Sequence, residues 1–359
     1  MKSKALIAMS GGVDSSVAAF LTKSNGYDCV GCTMKLYYNE DIGISKAHTC
    51  CSLDDIEDAR EVAYRLGIPY HIFNFSDDFR KKVIEKFIFN YETGLTPNPC
   101  IDCNRYMKFD KLYERAKILG CDYIVTGHYA RIENNNGRFI LKKALDLSKD
   151  QSYVLYNMTQ EQLGHTLFPL GNYSKEKIRC IAEEQGFSNA RKPDSQDICF
   201  VPNGDYLSFM EGYTGKKYPS GDFLDKSGNV VGHHNGAVKF TVGQRKGLGL
   251  AMGKPVYVFD KNTEKNTVYV GEETLLYKRS LIASDMNWIA FDLPPETFRV
   301  KAKTRYRQEE QPATVSVMDD GKIMLTFDKP QRAITPGQAV VLYEGDIVIG
   351  GGTILKAVK

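Results

Sequence analysis

The sequence predicts an α/β N-terminal domain on a parallel sheet, followed by a small mostly-β central domain and a C-terminal β-barrel. Two observations carry that reading. From Lys2 to about Ile198, short apolar runs alternate with longer amphipathic ones, the signature of βαβ units. Beyond Pro202 the pattern changes to short alternating runs with frequent glycine turns, as in Gly236-Ala-Val-Lys-Phe-Thr-Val-Gly243 and Lys254-Pro-Val-Tyr-Val-Phe-Asp260.

The strands of the first half fall at Ala5–Met9, Cys29–Leu36, Tyr70–Phe75 and Tyr123–Thr126, each an apolar, β-branched run bounded by polar or glycine signals. Helices are predicted near Asp14–Lys23, Leu53–Leu66, Asp77–Asn90 and Phe109–Leu119, and a further one over Lys175–Gln185 is opened by Ser174 and closed by Gly186. Ser52 with Asp55 resembles a capping box, and Gly67 and Gly120 are natural residues to end the helices they follow. Boundaries near 203–207 and 275–282 divide the chain into domains 1–203, 204–278 and 279–359, the last suited to a small barrel or sandwich. No internal repeat is evident.

Composition narrows the class. With 42% hydrophobic and 25% charged residues, the 359-residue chain matches ordinary globular proteins, which excludes disordered and collagen-like readings. Its apolar stretches are far shorter than the ~20 residues of a membrane span, and the N-terminus lacks the apolar run of a signal peptide, so a soluble cytoplasmic protein is expected. Lys and Arg number 47 against 44 Asp and Glu, so nucleic-acid affinity must come from local patches. Nine cysteines, an odd number in a large chain, favour reduced thiols used for chemistry or metal over a disulfide framework.

Ala8-Met-Ser-Gly-Gly-Val-Asp-Ser15 lies between the first strand and first helix, where open α/β sheets bind anions. Gly11 and Gly12 let the backbone approach phosphate oxygens, and Ser10, Ser15 and Ser16 bring hydroxyls to the positive end of the helix. A plain glycine turn with Asp14 or Ser15 as cap is the lesser reading. No Walker A loop occurs; Gly247-Leu-Gly-Leu-Ala-Met-Gly-Lys-Pro255 is one residue too long for one and reads as a turn-rich or recognition loop.

Among the thiols, Cys29 and Cys32 are three apart on a strand and point to opposite faces, while Cys121 and Cys180 read as small buried hydrophobes. Cys50 and Cys51 beside His48 lack a spaced fourth ligand for a metal site. Cys100 and Cys103 sit in Thr96-Pro-Asn-Pro-Cys-Ile-Asp-Cys-Asn-Arg105, a loop-forming stretch before a helix where thiols gain nucleophilicity, and Cys199 ends the α/β half.

The Ser-Gly-Gly-Val-Asp-Ser loop resembles that of the PP-loop ATP pyrophosphatases, and several further stretches together resemble the tRNA-specific 2-thiouridylases. They are Met9–Ser16, Thr96-Pro-Asn-Pro99, Cys103-Asn-Arg105, Lys108-Phe109, Thr126-Gly-His-Tyr-Ala130, Lys149-Asp-Gln-Ser-Tyr153, Ser195-Gln-Asp-Ile-Cys-Phe200, Thr241–Gly249 and Arg305-Tyr306, in order through nearly the whole chain. The resemblance implies an adenine nucleotide α-hydrolase-like first domain and ATP-dependent transfer of sulfur to C2 of the wobble uridine of tRNA. ATP and Mg²⁺ would be used, AMP and pyrophosphate released, and a cysteine desulfurase or sulfur-relay protein would be the donor; the tRNAs would be those for Lys, Glu and Gln.

Carried over residue by residue, the resemblance makes Cys103 the nucleophile and Cys199 the persulfide carrier. ATP would lie on Ala8, Met9, Ser10, Gly11, Gly12, Val13, Asp14 and Ser15, with Met34 and Gly127. Asn98, Pro99 and Cys100 would face the target base, and His128, Lys149, Asp150, Gln151, Arg305, Tyr306 and Gln338 would touch tRNA. Many members carry Asp where this chain has Cys100, which leaves an acid–base role vacant or passes it to Asp102. The substitution also creates a three-thiol set, Cys100, Cys103 and Cys199, suited to a [4Fe–4S] cluster as an alternative to persulfide chemistry. Another PP-loop ligase or amidotransferase, or a non-enzymatic tRNA- or nucleotide-binding module, are the remaining alternatives. In Val300-Lys-Ala-Lys-Thr-Arg-Tyr-Arg307, a continuous strand would put Lys301, Lys303, Arg305 and Arg307 on one face.

Overall fold

A computed structural model describes residues 2–38, 53–193, 198–201 and 204–358. The Ser52 cap, His48, Cys50, Cys51 and the segment from Ser195 to Asp197 lie outside the described residues. The backbone divides into two units, one of Met1–Ile84, Pro99–Gly204 and Gly345–Val348, the other of Glu85–Asn98, Asp205–Glu344 and Ile349–Lys359.

The first unit is built on five parallel strands, β1 (Lys4–Ala8), β2 (Asp28–Lys35), β3 (Tyr70–Asn74), β4 (Tyr123–Val125) and β7 (Thr166–Leu167), in the order β3-β2-β1-β4-β7. Ala5, Leu6 and Ile7 are fully buried, as a central parallel strand covered on both faces requires. Helix α1 (Val13–Ser24) packs Val17, Ala18 and Ala19 into one cluster with Ile178, Ile181 and Ala182, and Ala59, Val62 and Ala63 of α2 (Leu53–Arg65) join it. Each large aliphatic side chain removed from water here contributes about 1.5–3 kcal/mol. Strand order reverses at β1 and β4, and open α/β sheets bind ligands at the carboxyl ends of such a pair.

Gly67, Gly120 and Gly186 all take positive φ at the expected helix ends, and Ser174 caps α8 (Lys175–Glu184) by accepting from the Lys177 amide at 3.3 Å. Two helices depart from expectation. The one predicted over Asp77–Asn90 runs as α3 (Ser76–Phe79), a π-helical turn Arg80–Ile84 and α4 (Glu85–Glu92). The one predicted from Phe109 begins ten residues earlier, as α5 (Pro99–Asp102), a nine-residue π-helical stretch Cys103–Lys111 and α6 (Leu112–Ile118). Cys100 and Cys103 are therefore helical rather than in a loop. Pro99 explains the early start, since at a first helical position its fixed φ suits and its missing N–H costs nothing. Cys180 is exposed, not buried, because α8 turns Ile178, Ile181 and Ala182 inward and leaves position 180 on the opposite side.

The hairpin of β5 (Ala130–Asn135) and β6 (Arg138–Lys143) escaped the sequence reading, although Asn136-Gly137, both at positive φ, is the usual two-residue hairpin signal. Helix α7 (Gln160–Gly164) completes the unit, with a capping box from Thr159 and Gln162.

In the second unit, helix α9 (Tyr206–Thr214) precedes a four-stranded sheet of β8 (Gly221–Leu224), β9 (Val230–His234), β10 (Tyr257–Asn262) and β11 (Thr267–Gly271), around Phe223, Phe240, Val258, Val268 and Val270. The last six strands are β12 (Tyr277–Trp288), β13 (Thr297–Lys303), β14 (Gln311–Val317), β15 (Ile323–Arg332), β16 (Ala339–Glu344) and β17 (Ile347–Val358). They run β12-β15-β14-β13-β16-β17, and pairing of β12 with β17 closes a barrel. Alternation fills it: Ile323, Leu325 and Phe327 point inward from β15 as Ala313 and Val315 do from β14.

The four-cation face is overturned. Strand β13 ends at Lys303, and 304–307 turn away because Gln308 Oε1 accepts from both the Thr304 amide (2.9 Å) and its hydroxyl (2.7 Å). Lys301 and Lys303 share the strand; Arg305 and Arg307 do not.

The segment before Asn98 is strapped to a barrel loop. The Thr96 amide donates to the Pro336 carbonyl (2.9 Å), and Gln338 Nε2 donates to the Thr96 carbonyl (2.7 Å). Between them Gly337, at φ +87°, has room for no side chain, a Cβ there falling 2.8 Å from the Thr96 nitrogen. Gly337→Ala is expected to cost about 2–5 kcal/mol, adding left-handed strain to overpacking. Urea unfolding measures the loss, and hydrogen exchange at the Thr96 amide should accelerate with it.

Candidate active site

Strand β1 ends at the point of order reversal, and the chain must turn there into α1. Gly11 makes the turn at φ +75°, and a Cβ on it would lie 2.3 Å from the Asp55 carbonyl oxygen, so no other residue fits. Gly12 is the N-cap and carries no side chain to engage the first-turn amides of α1, which are left for an anion. Ser15 Oγ braces the loop from within, accepting from the Ser10 amide at 3.1 Å and donating to the Gly12 carbonyl at 2.9 Å.

Three residues that sequence reasoning missed hold this loop. Asn189, 3% exposed, donates from Nδ2 to the Gly11 carbonyl and to Ser16 Oγ, both at 2.9 Å. Lys175 Nζ lies 2.7 and 2.8 Å from the two oxygens of Asp14, and the Tyr129 hydroxyl donates to the first at 2.7 Å. The Asp14 charge, which would repel a phosphate, is thereby cancelled. Lys175 was readable only as the residue after a cap, and Asn189 carried no local signal. Around them Lys192 pairs with Asp55 (2.6 Å) and Asp58 (2.7 Å), and the two carboxylates hold its ammonium above its usual range despite burial.

The other residues expected at the nucleotide sit nearby. Met9 is buried, its carbonyl accepting from the Thr33 hydroxyl at 2.6 Å, and Val13 is buried in the core. Met34 lies near the carboxyl end of β2. Gly127 follows β4, and a Cβ there would meet the Asp14 carbonyl carbon at 2.9 Å and the Ser15 nitrogen at 3.0 Å. Next to it His128 is 7% exposed, with Nδ1 2.7 Å from Thr126 Oγ1 and Nε2 3.4 Å from Lys108 Nζ.

Of the thiols, Cys103 and Cys199 are half-buried and Cys100 is exposed. Cys103 opens the π-helical stretch, which is held by Asn104 Nδ2 on the Val154 carbonyl (3.0 Å). Cys199 is fixed through its backbone: the Tyr37 hydroxyl donates to its carbonyl at 2.7 Å, and Phe200 packs edge-on against Phe79 at 5.6 Å. Burial pushes Cys29 up to about 11 and raises Cys32 further, as suits inert packing thiols. Among the described residues no group of three or more His, Cys, Asp or Glu side chains is arranged to hold a metal ion. Asp102, the candidate to replace an acid at position 100, is buried.

Family models match nearly the whole length: one described as the tRNA methyl transferase HUP domain over residues 3–203, one as the tRNA methyl transferase PRC-barrel domain over 207–272, and one as the aminomethyltransferase beta-barrel domain over 278–354. The tRNA-specific 2-thiouridylase MnmA of Clostridioides difficile (strain 630) is 50% identical over 359 residues, 99% of this chain and 99% of that protein. The MnmA of Clostridium acetobutylicum is 50% identical over 354 residues, 99% of this chain and 100% of its own. The chain belongs to the tRNA-specific 2-thiouridylase family. Among solved structures, a 4-thiouridine synthetase–RNA complex with bound ATP matches 56% of this chain and 46% of its own at 19% identity and a TM-score of 0.35, a likeness too low to carry an argument.

The positions that this family resemblance assigned to tRNA are engaged within the fold. Asp150 Oδ1 accepts from the Ala144 amide (3.0 Å) and Oδ2 from the Ser152 hydroxyl (2.8 Å), Gln151 Oε1 accepts from the Tyr129 amide (3.0 Å), and the Lys149 amide donates to the Asp146 carbonyl (3.1 Å). In the second unit, Arg305 Nη2 donates to the carbonyls of Val242 (2.9 Å) and Ala333 (2.8 Å) and to Thr335 Oγ1 (2.8 Å), while neighbouring Tyr306 is exposed. Asn98 closes the second unit's segment that begins at Glu85, and Pro99 and Cys100 open α5 in the first unit. No helix among the described residues is long and apolar enough to cross a membrane.

Burial, and then the Lys108 ammonium, hold His128 well below its usual 6.5, so the folded protein keeps it neutral. In the unfolded chain it takes up a proton below that value, so stability is full above pH 6.5 and falls as the pH drops beneath it. The loss should approach about 1.4 kcal/mol per pH unit. His128→Gln should flatten this acid limb in urea titrations between pH 7 and 5; an unchanged slope would show that His128 is not its source.

Proposed function

We propose that the protein is an ATP-dependent tRNA-uridine 2-sulfurtransferase acting on the wobble position. The observation that carries this reading is the glycine loop at the β1–β4 reversal, closed by Asn189 and abutted by Gly127, in the same unit as two half-buried thiols, Cys103 and Cys199. Methyl transfer, which the family description names, has no use for either feature.

A uridine C2 carbonyl is a poor electrophile with an oxide leaving group, so sulfur cannot displace it directly. The loop amides and Mg²⁺ accompanying ATP would stabilise charge at the α-phosphate as the C2 oxygen attacks it and pyrophosphate departs. The resulting O-adenylated base has AMP as leaving group. Cys199, loaded as a persulfide by a cysteine desulfurase or relay protein, then supplies sulfur. Either its terminal sulfur attacks C2 directly and Cys103 then attacks Cys199 Sγ, breaking the S–S bond and freeing the thiolated base, or Cys103 first attacks Cys199 Sγ of the persulfide and releases sulfide that attacks C2. In both routes AMP departs with the C2 oxygen and the two thiols finish as a disulfide, which an external thiol must reduce before the next turnover.

In this reading residues 1–203 carry the chemistry and residues 204–278 and 279–359 grip the tRNA for Lys, Glu or Gln. Arg305 and Gln338 act there chiefly by fixing the loops around them, and exposed Tyr306 offers a ring for base stacking. Asp150 and Gln151 shape the turn that presents Lys149.

The test is an anaerobic assay with ATP, Mg²⁺, unmodified tRNA, a cysteine desulfurase and cysteine. Wild-type protein should form 2-thiouridine, AMP and pyrophosphate, and iron-free preparations should be fully active. Cys103→Ser and Cys199→Ser should each abolish 2-thiouridine while pyrophosphate release persists. Activity that requires bound iron, or that survives both substitutions, would falsify the persulfide scheme.

A further inference from the structure

Lys108 has no part in the sulfur-transfer steps. It lies in the π-helical stretch, whose i→i+5 hydrogen bonding stacks residues five apart along one side. Cys103 and Lys108 are five apart. In ordinary α-helical winding the same two positions would diverge by more than a third of a turn.

The Lys108 ammonium is held by His128 Nε2 at 3.4 Å. Since Nε2 accepts from it, Nδ1 carries the imidazole proton and donates to Thr126 Oγ1 at 2.7 Å. Phe109 and Phe168 pack around the imidazole with ring centres 5.9 and 5.8 Å away. Among the described residues no carboxylate lies within ion-pair distance of Lys108 Nζ. By contrast, Lys175 is matched by Asp14 and Lys192 by Asp55 and Asp58. A lysine paired with a carboxylate shows little net charge to a ligand. One held by a neutral imidazole keeps its whole charge.

The position of that charge is fixed at its other end by Gly127, which separates Thr126 from His128 and rests against Asp14 and Ser15 of the glycine loop. We propose that Lys108 is a nucleotide-binding residue, its ammonium engaging the α-phosphate of adenine nucleotide between the loop and Cys103, and that His128 is the positioning residue that holds it there without cancelling its charge. The inference rests on the reading of this loop as an ATP site, and it gives buried His128 a role in positioning Lys108 in place of a direct tRNA contact.

Adenosine 5′-monophosphate and adenosine differ only in that phosphate, so their dissociation constants for the full-length protein isolate its recognition. Wild type should prefer AMP. Lys108→Met should weaken AMP by about 10-fold or more, the worth of a charged hydrogen bond, while adenosine changes by less than about twofold. Lys108→Arg should restore most of the AMP preference, and His128→Gln should fall between. Equal loss of both ligands in a folded Lys108→Met protein, no loss of either, or a wild type indifferent to the phosphate would each overturn the proposal. If Lys108→Met fails to fold by circular dichroism, Lys108→Gln takes its place with the same expectations. The 2-thiouridine assay is a separate readout: a wild type that makes no 2-thiouridine but loses AMP preference on Lys108→Met retains this inference and loses the sulfur-transfer reading.

Discussion

The first unit depends on one backbone reversal, at the carboxyl end of β1. A buried parallel strand has to enter a helix within four residues, and it does so at Gly11, pressed against the backbone of Asp55 with no volume for a side chain. Such a turn leaves the Gly11 carbonyl in the interior, where an unsatisfied acceptor is costly. Asn189 supplies the donor from 178 residues away in sequence, and its second hydrogen bond, to Ser16, ties the first turn of α1 to the same carboxamide. Loop shape, helix direction and the amides left open to an anion all follow from this contact.

Charge around the loop is arranged in two ways. Asp14 and the pair Asp55 and Asp58 would oppose a phosphate, and each is matched by a buried or half-buried lysine at 2.6–2.8 Å. Tyr129 adds a hydroxyl to Asp14, so that carboxylate is both neutralised and oriented. Lys108 is treated differently, with a neutral imidazole for its partner. Matched lysines stabilise the scaffold, and the unmatched one projects charge; the same residue type serves structure in two places and recognition in the third.

In the second unit, hydrogen bonds to backbone carbonyls fix the loops at one end of the barrel. The strap of Thr96 to Pro336 and Gln338, and the three acceptors gathered by Arg305, join segments that are far apart in sequence at one end of the barrel. A guanidinium spent on backbone carbonyls is an organiser of loops before it is a contact for anything else. Tyr306, turned out by the Gln308-closed bend, is the side chain that this organisation presents.

By itself the sequence determined the parallel sheet, the helix ends at Gly67, Gly120 and Gly186, the β-rich second half and the glycine turn between the first strand and the first helix, because each of these is written in periodicity or in a local backbone requirement within a few residues. It missed the hairpin at Asn136-Gly137 although its signal was present, and it misjudged Cys180 by treating a cysteine as buried on residue type without asking which helix face it occupied. What tertiary structure alone decided are the partners: Asn189 on Gly11, Lys175 on Asp14, Tyr37 on the Cys199 carbonyl and Lys108 on His128. These pairs lie between 20 and 178 residues apart, and no local pattern encodes which side chain will meet them. At Lys303 the deciding contact is local: Gln308 Oε1, accepting from Thr304 four residues earlier, overrode a period-2 pattern that continued in the residues but not in the backbone.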